Sequence, residues 1–216
     1  MVINLGKGNS ILNQFIAELR NVEVQNQRIL FRKNLERIGE IFAYEISKKL
    51  DYVNKDVITP LGSATVPVLK EYPILATILR AGLPFHQGLL NFFDKSENAF
   101  ISAYRKHHKD GSFEVEIEYT STPELDDRLV ILADTMLATG YSTSLALREL
   151  ISRGKPRHVH IATIVASLEG VNYLKRNFSS SDFTLWVGAI DDELTAQSYI
   201  VPGLGDAGDL AFGSKV

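Results

Sequence analysis

The sequence contains no cysteine, and this absence excludes several kinds of site. Without thiols, the 216-residue chain has no disulfide framework, no zinc ribbon and no cysteine nucleophile. An excess of one charge sign is also missing, because 23 Lys and Arg against 26 Asp and Glu give a formal net charge of −3 at pH 7. Such a chain is not expected to bind nucleic acid or an anionic membrane through its overall charge. An anionic ligand would therefore need a local binding site.

Long apolar segments are absent as well. No segment approaches the roughly 18–20 apolar residues of a membrane span, and the start MVINLGKGNS lacks the apolar core of a secretory signal. We therefore expect a cytoplasmic protein with no membrane partner. Neither a repeat nor a Gly/Ser linker divides the chain, and the 45% hydrophobic and 23% charged fractions are typical of globular proteins. We predict a single domain over residues 1–216.

The first fifty residues predict helices at 11–20 and 28–50. In the second segment, apolar residues recur at spacings of three to five, as on one face of an amphipathic helix. Ser10 is a suitable N-cap for the first helix. This N-terminal helical piece, residues 10–50, could either cover the core or form an oligomer surface.

From about residue 72, short apolar runs alternate with segments of helical length. Strands are predicted at 74–79, 99–104, 129–133, 158–165 and 183–187, and helices at 84–93, 142–153 and 169–177. This alternation indicates an α/β fold with a central parallel sheet flanked by helices. Residues 112–119 instead alternate apolar residues with glutamates, which predicts a half-buried strand in a projecting β-arm over about 105–128.

The segment 129–143, LVILADTMLATGYST, is typical of a phosphate-binding turn. A buried strand leads into Asp134, then into small residues, and Ser142 opens the next helix. Hydroxyls and N–H groups around Gly140 can face an anion, which the positive end of the helix dipole also favours. A carboxylate at the carboxyl end of a parallel strand can hold ribose hydroxyls or a hydrated metal ion. The alternative is an ordinary strand–loop–helix junction with a serine cap.

Two arginines each follow a predicted strand. Arg80 directly follows the run ILATIL, and Arg105 directly follows FISAY. From either position a guanidinium could bind a diphosphate. The alternative is an arginine that extends into solvent or pairs with a surface carboxylate. The adjacent His107 and His108 are interpreted as part of a solvated turn. We interpret His158 and His160, which share one face of a predicted strand, as structural.

The segment 199–213, YIVPGLGDAGDLAFG, contains four glycines and one proline, so it cannot form a regular helix or a central strand. Its apolar residues favour an ordered loop over a free tail. A glycine-rich ordered loop exposes backbone donors and acceptors, which suits the recognition of a planar base.

These motifs resemble those of the type I phosphoribosyltransferases, and specifically of the uracil phosphoribosyltransferase family. The resemblance covers roughly residues 10–214 and rests on AYE at 43–45, LRAG at 79–82, YR at 104–105, DTMLATGYS at 134–142 and PGLGDAGD at 202–209. Thr135 stands where the family usually has proline, and Tyr141 where it usually has glycine. Leu210, Ala211 and Ser214 also differ from the family's usual ending.

The resemblance implies a type I phosphoribosyltransferase-like fold and assigns site residues by their place in the motifs. The implied catalytic residues are Asp134, Arg80 and Arg105. The implied ligands of 5-phospho-α-D-ribose 1-diphosphate (PRPP) are Arg80, Arg105, Asp134, Thr135, Met136, Leu137, Ala138, Thr139, Gly140, Tyr141, Ser142 and Asp206. The implied uracil contacts are Ile200, Gly205, Asp206 and Ala207. No direct protein site for a metal is expected, because Mg²⁺ would arrive with PRPP, with Asp206 as a candidate contact.

The activity implied is the formation of UMP and pyrophosphate from uracil and PRPP in pyrimidine salvage, by a homo-oligomer, either a dimer or a larger assembly. Two alternatives stay open. A phosphoribosyltransferase of altered base preference would be consistent with Tyr141 and with the Leu210–Ala211 change. A non-catalytic nucleotide-binding regulator could retain the same fold, although the acidic net charge argues against an RNA partner.

Overall fold

The computed structural model describes residues 1–107 and 113–214, and within these ranges the side chains of 104–107 and 113–115 lie outside the description. The helices are α1 Ile11–Arg20, α2 Arg28–Ser47, α3 Gly82–Phe92, α4 Tyr141–Ser152, α5 Leu168–Asn177 and α6 Ala207–Phe212, and a 3-10 turn spans Leu5–Lys7. The strands are β1 Val2–Asn4, β2 Tyr52–Thr59, β3 Gly62–Leu69, β4 Ile74–Leu79, β5 Asn98–His107, β6 Phe113–Ser121, β7 Leu129–Leu137, β8 His158–Ser167, β9 Phe183–Asp191, β10 Glu193–Leu194 and β11 Ile200–Val201.

A seven-stranded sheet with the order β1-β9-β8-β7-β4-β5-β6 forms the centre of the molecule. Every neighbouring pair in it is parallel except β5 with β6. The predicted α/β architecture is therefore confirmed. Because β4, β5 and β7 are parallel neighbours, the segments that follow their carboxyl ends begin at the same edge of the sheet.

The sheet is covered on both faces, which explains why most residues of its inner strands are apolar. Along β4, Leu75 packs into one core cluster, while its neighbours Ile74 and Ala76 pack into the other. The first cluster contains buried side chains of α1, α2 and α3, and the second contains buried side chains of α4 and α5. Alternate residues of a strand point to opposite faces, so the two helix groups lie on opposite sides of the sheet.

The N-terminal helices match their prediction closely. The helix α1 has the predicted bounds, and the Ser10 side chain caps it by accepting a hydrogen bond from the Leu12 N–H at 3.3 Å. The helix α2 ends at Ser47, three residues earlier than predicted, where a turn begins. Leu12 and Phe42 are fully buried in the core, so this helical piece covers the sheet.

The antiparallel pairs β5–β6 and β2–β3 differ in how well the sequence predicted them. The strand predicted at 112–119 corresponds to β6, Phe113–Ser121, which pairs with β5 at the edge of the main sheet, and residue 112 lies outside the described residues. Residues 52–69 form a separate two-stranded hairpin, β2 with β3, which was not predicted. Val57, Ala64, Val66 and Val68 lie on one face of the hairpin and are half-buried, whereas the other face is largely exposed. Across the two described ranges, no helix is long and apolar enough to cross a membrane.

Candidate active site

A cleft of about 200 Å³ lies at the carboxyl ends of β4, β5 and β7. The turn after β4, the turn after β7 and the C-terminal loop contribute most of its lining, and Ala103 of β5 completes it. From the last two segments the lining residues are Asp134, Thr135, Met136, Ala138, Thr139, Gly140, Ser142, Thr143, Ser198, Tyr199, Ile200, Gly205, Asp206, Ala207 and Gly208. The predicted phosphate turn and the predicted base-binding loop therefore share one cleft, although some sixty residues separate them along the chain.

The phosphate turn joins β7 to α4 and takes a conformation that requires glycine. Gly140 has φ 82°, and a Cβ there would lie 3.0 Å from the Gly170 carbonyl oxygen and 3.1 Å from the Tyr173 ring. From the other side, the Ser167 hydroxyl donates to the Ala138 carbonyl at 2.5 Å. The first N–H groups of a helix have no partner within the helix. The start of α4 can therefore donate to an anion in the cleft.

Asp134 is a half-buried residue of β7, near the carboxyl end of that strand, and it lines the cleft. Burial raises its pKa to about 7, although the N–H groups of Met136 and Thr135 and the hydroxyl of Thr143 oppose this rise. The Thr143 hydroxyl lies 3.5 Å from Oδ2. At neutral pH the carboxyl group is thus close to half ionised. A ligand that donates hydroxyl hydrogens to the carboxylate would favour the ionised form.

Arg80 follows β4 directly, after a cis peptide bond with Leu79, and lines the cleft. Its Nη2 donates to Asp209 Oδ1 at 3.1 Å, and both terminal nitrogens lie 3.3 Å from the Gly213 carbonyl oxygen. Its Nε is buried and has no hydrogen-bond partner within the described part of the chain. Arg80 is only half-buried, so the guanidinium reaches both the cleft and α6. A diphosphate bound here would compete with Asp209 for the guanidinium.

The second predicted arginine can be placed by its backbone only. Arg105 lies within β5, three residues beyond Ser102, which is paired with Leu79 of β4. Its backbone is thus at the same edge of the sheet as Arg80. The predictions that Arg105 follows a strand and that His107 belongs to a turn are therefore wrong, because β5 continues to His107 by pairing with β6. The side chains of Arg105 and His107 lie outside the described part, and His108 lies outside the described residues altogether.

The C-terminal loop is ordered by turns in which glycine again has a specific role. Ile200 and Val201 pair with β10, the Val201–Pro202 peptide bond is cis, and Gly203 and Gly205 have positive φ angles of 54° and 90°. Asp206 caps α6, since its Oδ1 accepts the Asp209 N–H at 3.0 Å. The four predicted uracil contacts, which are Ile200, Gly205, Asp206 and Ala207, all line the cleft.

Some predicted ligands lie outside the lining, and several lining residues, among them Ser198 and Tyr199, were not predicted. Leu137 is buried in the core at 1% exposure, whereas the Tyr141 side chain is 41% exposed beside the turn. Tyr141 therefore does not fill the cleft. Ser198 and Tyr199 line the cleft without having been predicted. Tyr199, the aromatic residue at the start of the loop, could have been recognised from the sequence. Nothing in the sequence marked Ser198, whose φ is 63°.

Of the other departures from the family pattern, Thr135 lies at the cleft, whereas Leu210 and Ala211 lie away from it. Thr135 lines it but is only 1% exposed. Ala211 is fully buried in the core, and Leu210 packs against the same core. Neither Leu210 nor Ala211 belongs to the lining. These two substitutions therefore do not reshape the part of the cleft formed by the C-terminal loop.

Among the histidines whose side chains are described, none lines the cleft. His160 is buried, and its Nδ1 accepts a hydrogen bond from Trp186 Nε1 at 3.2 Å. Burial and the neighbouring His158 lower the pKa of His160 to about 4. The structural role predicted for this pair is confirmed. His86 is also buried, and burial lowers its pKa.

Comparison with known proteins agrees with the motifs. A sequence model of uracil phosphoribosyltransferase matches residues 8–214. A uracil phosphoribosyltransferase of Porphyromonas gingivalis is 52% identical over 215 residues, covering 100% of this chain and 99% of that protein. A uracil phosphoribosyltransferase of the archaeon Thermococcus sibiricus is 35% identical over 208 residues, covering 95% and 87% of the two chains.

The solved structures that resemble this chain support the same fold. A protein from Aquifex aeolicus superposes with a TM-score of 0.88 at 30% identity, covering 100% of both chains. A hypoxanthine phosphoribosyltransferase from Staphylococcus aureus has a TM-score of 0.52 at 16% identity, covering 86% of this chain and 83% of that one. The second likeness concerns the fold alone.

Proposed function

This chain belongs to the uracil phosphoribosyltransferase family, and we propose that it converts uracil and PRPP to UMP and pyrophosphate, as a cytoplasmic enzyme of pyrimidine salvage. The observation that carries the proposal is the shared cleft, which the phosphate turn, the half-buried Asp134 and the glycine-rich loop all line. A nucleoside monophosphate has a phosphate, a ribose and a planar base, and the cleft offers one type of group for each.

The proposed binding mode assigns each part of PRPP to a segment of the cleft. The hydroxyls and N–H groups of residues 139–143 bind the 5′-phosphate at the start of α4. Asp134 accepts hydrogen bonds from the ribose hydroxyls. Arg80 and Arg105 bind the diphosphate, and Arg80 releases Asp209 when it does so. A guanidinium binds phosphate oxygens through two parallel N–H groups, which suits this role.

The uracil ring lies against the C-terminal loop. Main-chain groups of Ile200, Gly205 and Ala207 complement the carbonyl and N–H groups of the ring. Because Gly205 has no side chain, the ring can approach the backbone closely. Asp206, at the N-cap of α6, lies between the base and the ribose diphosphate in this arrangement.

The chemistry is a displacement at C1 of the ribose. The bond from C1 to the diphosphate oxygen breaks, a bond from C1 to the uracil nitrogen forms, pyrophosphate leaves, and the nitrogen releases its proton to water. Positive charge develops on the ribose during the transfer, and the Asp134 carboxylate stabilises it. The arginines stabilise the charge that develops on the leaving pyrophosphate. Most of the acceleration comes from alignment of the two substrates in one cleft.

Mg²⁺ is proposed to enter with PRPP. In the described ranges, no group of three or more His, Asp or Glu side chains could hold a metal ion by itself. Mg²⁺ usually binds one or two carboxylates together with substrate phosphates and water. The carboxylates that line the cleft, Asp134 and Asp206, fit that pattern, with Asp206 as the proposed contact. When bound, the ion would neutralise charge on the leaving diphosphate.

We also propose that the enzyme is a homodimer. The hairpin of β2 and β3 forms a sheet of its own, and its tip exposes Ile58 at 95% and Leu61 at 100%. Two apolar side chains at the end of a hairpin are suited to packing against a second copy of the chain. Light scattering on wild type and on the double variant Ile58→Lys, Leu61→Lys tests this proposal. A dimeric wild type and a monomeric variant are expected, and a monomeric wild type would contradict the proposal.

The decisive test of function is turnover with Mg²⁺, PRPP and one nucleobase at a time. UMP should form with uracil, and no nucleotide should form with cytosine, adenine or hypoxanthine. Turnover with another base alone would indicate a different base preference. Binding of UMP without any turnover would instead indicate a nucleotide-binding regulator, and either result would contradict the proposal.

A further inference from the structure

We propose that Arg20 and Asp191 are positioning residues, whose ion pair fixes the backbone at Gly203 and so sets where Ile200 and Gly205 present their main-chain groups to the base. This inference rests on the proposed function. Neither Arg20 nor Asp191 lines the cleft, and 171 residues separate them along the chain.

The ion pair between the two side chains is bidentate. Arg20 Nη1 donates to Asp191 Oδ2 at 2.7 Å, and Nη2 donates to Oδ1 at 2.8 Å. The Arg20 side chain is 23% exposed and that of Asp191 is 8% exposed. Two parallel, charge-assisted hydrogen bonds fix both distance and orientation. The pair therefore joins the end of α1 rigidly to the end of β9.

Both backbone polar groups of Gly203 are bound to this pair. Its N–H donates to Asp191 Oδ2 at 2.9 Å, and its carbonyl oxygen accepts from Arg20 Nη1 at 2.9 Å. Gly203 has φ 54°, and a Cβ there would lie 2.1 Å from the Ile200 carbonyl oxygen. The turn is thus tightly folded over Ile200, and the ion pair holds it from outside the cleft.

The residues on either side of Gly203 connect this turn to the site. Ile200, three residues before it, and Gly205, two residues after it, both line the cleft. Leu204 between them is 3% exposed and packs in the core, so the loop has little freedom to adjust on its own. A change at the ion pair should therefore move the surface that receives the base.

The phosphate turn is held by different contacts. Ser167 donates to the Ala138 carbonyl oxygen, and Gly170 of α5 packs so closely that a Cβ would lie 2.4 Å from that same oxygen. In the described part of the chain, neither Ser167 nor Gly170 forms a hydrogen bond or salt bridge with Arg20 or Asp191. Disturbing Arg20 or Asp191 should therefore affect uracil more than PRPP.

The test is steady-state kinetics of Arg20→Lys and Asp191→Asn, with both substrates varied. Lysine keeps the charge but cannot make the parallel pair of bonds, and asparagine keeps the shape but loses the charge. We expect KM for uracil to rise by at least about tenfold, as for the loss of one charge-assisted hydrogen bond. KM for PRPP should stay within about twofold, well below the tenfold that one such bond is worth.

The matched control is Arg128→Lys, which makes the same change in the Arg128–Glu97 ion pair at the start of β7. Both KM values of this control should remain at the wild-type level. KM does not depend on the amount of folded enzyme, so a fall in stability alone would lower the rate without shifting either KM. Thermal unfolding of each variant records that separate effect.

An unchanged KM for uracil, or an equal rise in both KM values, would overturn the positioning role while leaving the proposed function intact. A wild-type enzyme that forms no UMP from uracil would instead overturn the proposed function, and this inference with it.

Discussion

The raised pKa of Asp134 predicts a specific pH dependence of nucleotide binding. The carboxylate, but not the protonated acid, accepts hydrogen bonds from both ribose hydroxyls with both of its oxygens. With a pKa of about 7, the ionised fraction falls from about nine-tenths at pH 8 to about one-tenth at pH 6. Binding that requires the carboxylate should therefore weaken by about tenfold over this range.

The assay is calorimetric titration with UMP at pH 6, 7 and 8, on wild type and on Asp134→Asn. The phosphate of UMP titrates in the same range, but it does so equally for both proteins. The ratio of their dissociation constants therefore isolates Asp134. We expect wild type to bind about tenfold more tightly than the variant at pH 8, with the difference nearly lost at pH 6.

The pH dependence of unfolding gives an independent check of the same pKa. Ionisation of Asp134 strengthens nucleotide binding but lowers the stability of the folded protein. The folded pKa of about 7 lies above the ordinary value of 3.8, so the folded state holds the proton more tightly. Asp134 therefore lowers stability as pH rises from about 4 through 7. Asp134→Asn should be more stable than wild type at pH 8 by a few kcal/mol, because a buried charge is removed. If the ratio of the dissociation constants of wild type and Asp134→Asn does not vary with pH, and the variant is no more stable than wild type, the raised pKa of Asp134 is contradicted.

Three further predictions concern other parts of the molecule. Gly140→Ala should lower the free energy of unfolding by about 1–2 kcal/mol and raise KM for PRPP, because Gly140 has φ 82°. The control in urea unfolding is Gly8→Ala, because nothing lies near the position of its Cβ. His160→Asn should make stability less sensitive to acid. The pKa of His160 is about 4 in the folded protein against an ordinary value of 6.5, so the free energy of unfolding of wild type should fall by about 3 kcal/mol as pH falls from 6.5 to 4. Equal losses of stability in wild type and variant between pH 7 and 4.5 would contradict this. Arg80→Ala should lower turnover and weaken PRPP binding with a native circular dichroism spectrum, whereas unchanged kinetics would remove Arg80 from the site.

The cleft could be predicted from the sequence because its main segments have local signatures. The strand before Asp134 is apolar throughout, and small residues and a helix follow it, so the turn and its chemistry are contained in fifteen residues. The C-terminal loop is similarly marked by its glycines and its proline. Parallel strands place such segments at one edge of a sheet, which is why the two turns meet.

Features that depend on distant partners could not be predicted in this way. Arg20 and Asp191 are ordinary charged residues in the sequence, and only the fold brings them together at Gly203. The contact of Arg80 with Asp209 was equally hidden. The β2–β3 hairpin was not predicted because Lys55 interrupts the apolar alternation of β2, and Pro67 argues against a strand at the position of β3.

The most direct test of the shared cleft is a crystal structure of the protein with UMP bound. We expect the phosphate at residues 139–143, the ribose hydroxyls on Asp134, and the pyrimidine against the main chain of Ile200 and Gly205. A phosphate bound at that turn with the pyrimidine pointing away from the C-terminal loop, or a nucleotide bound elsewhere on the molecule, would contradict this expectation.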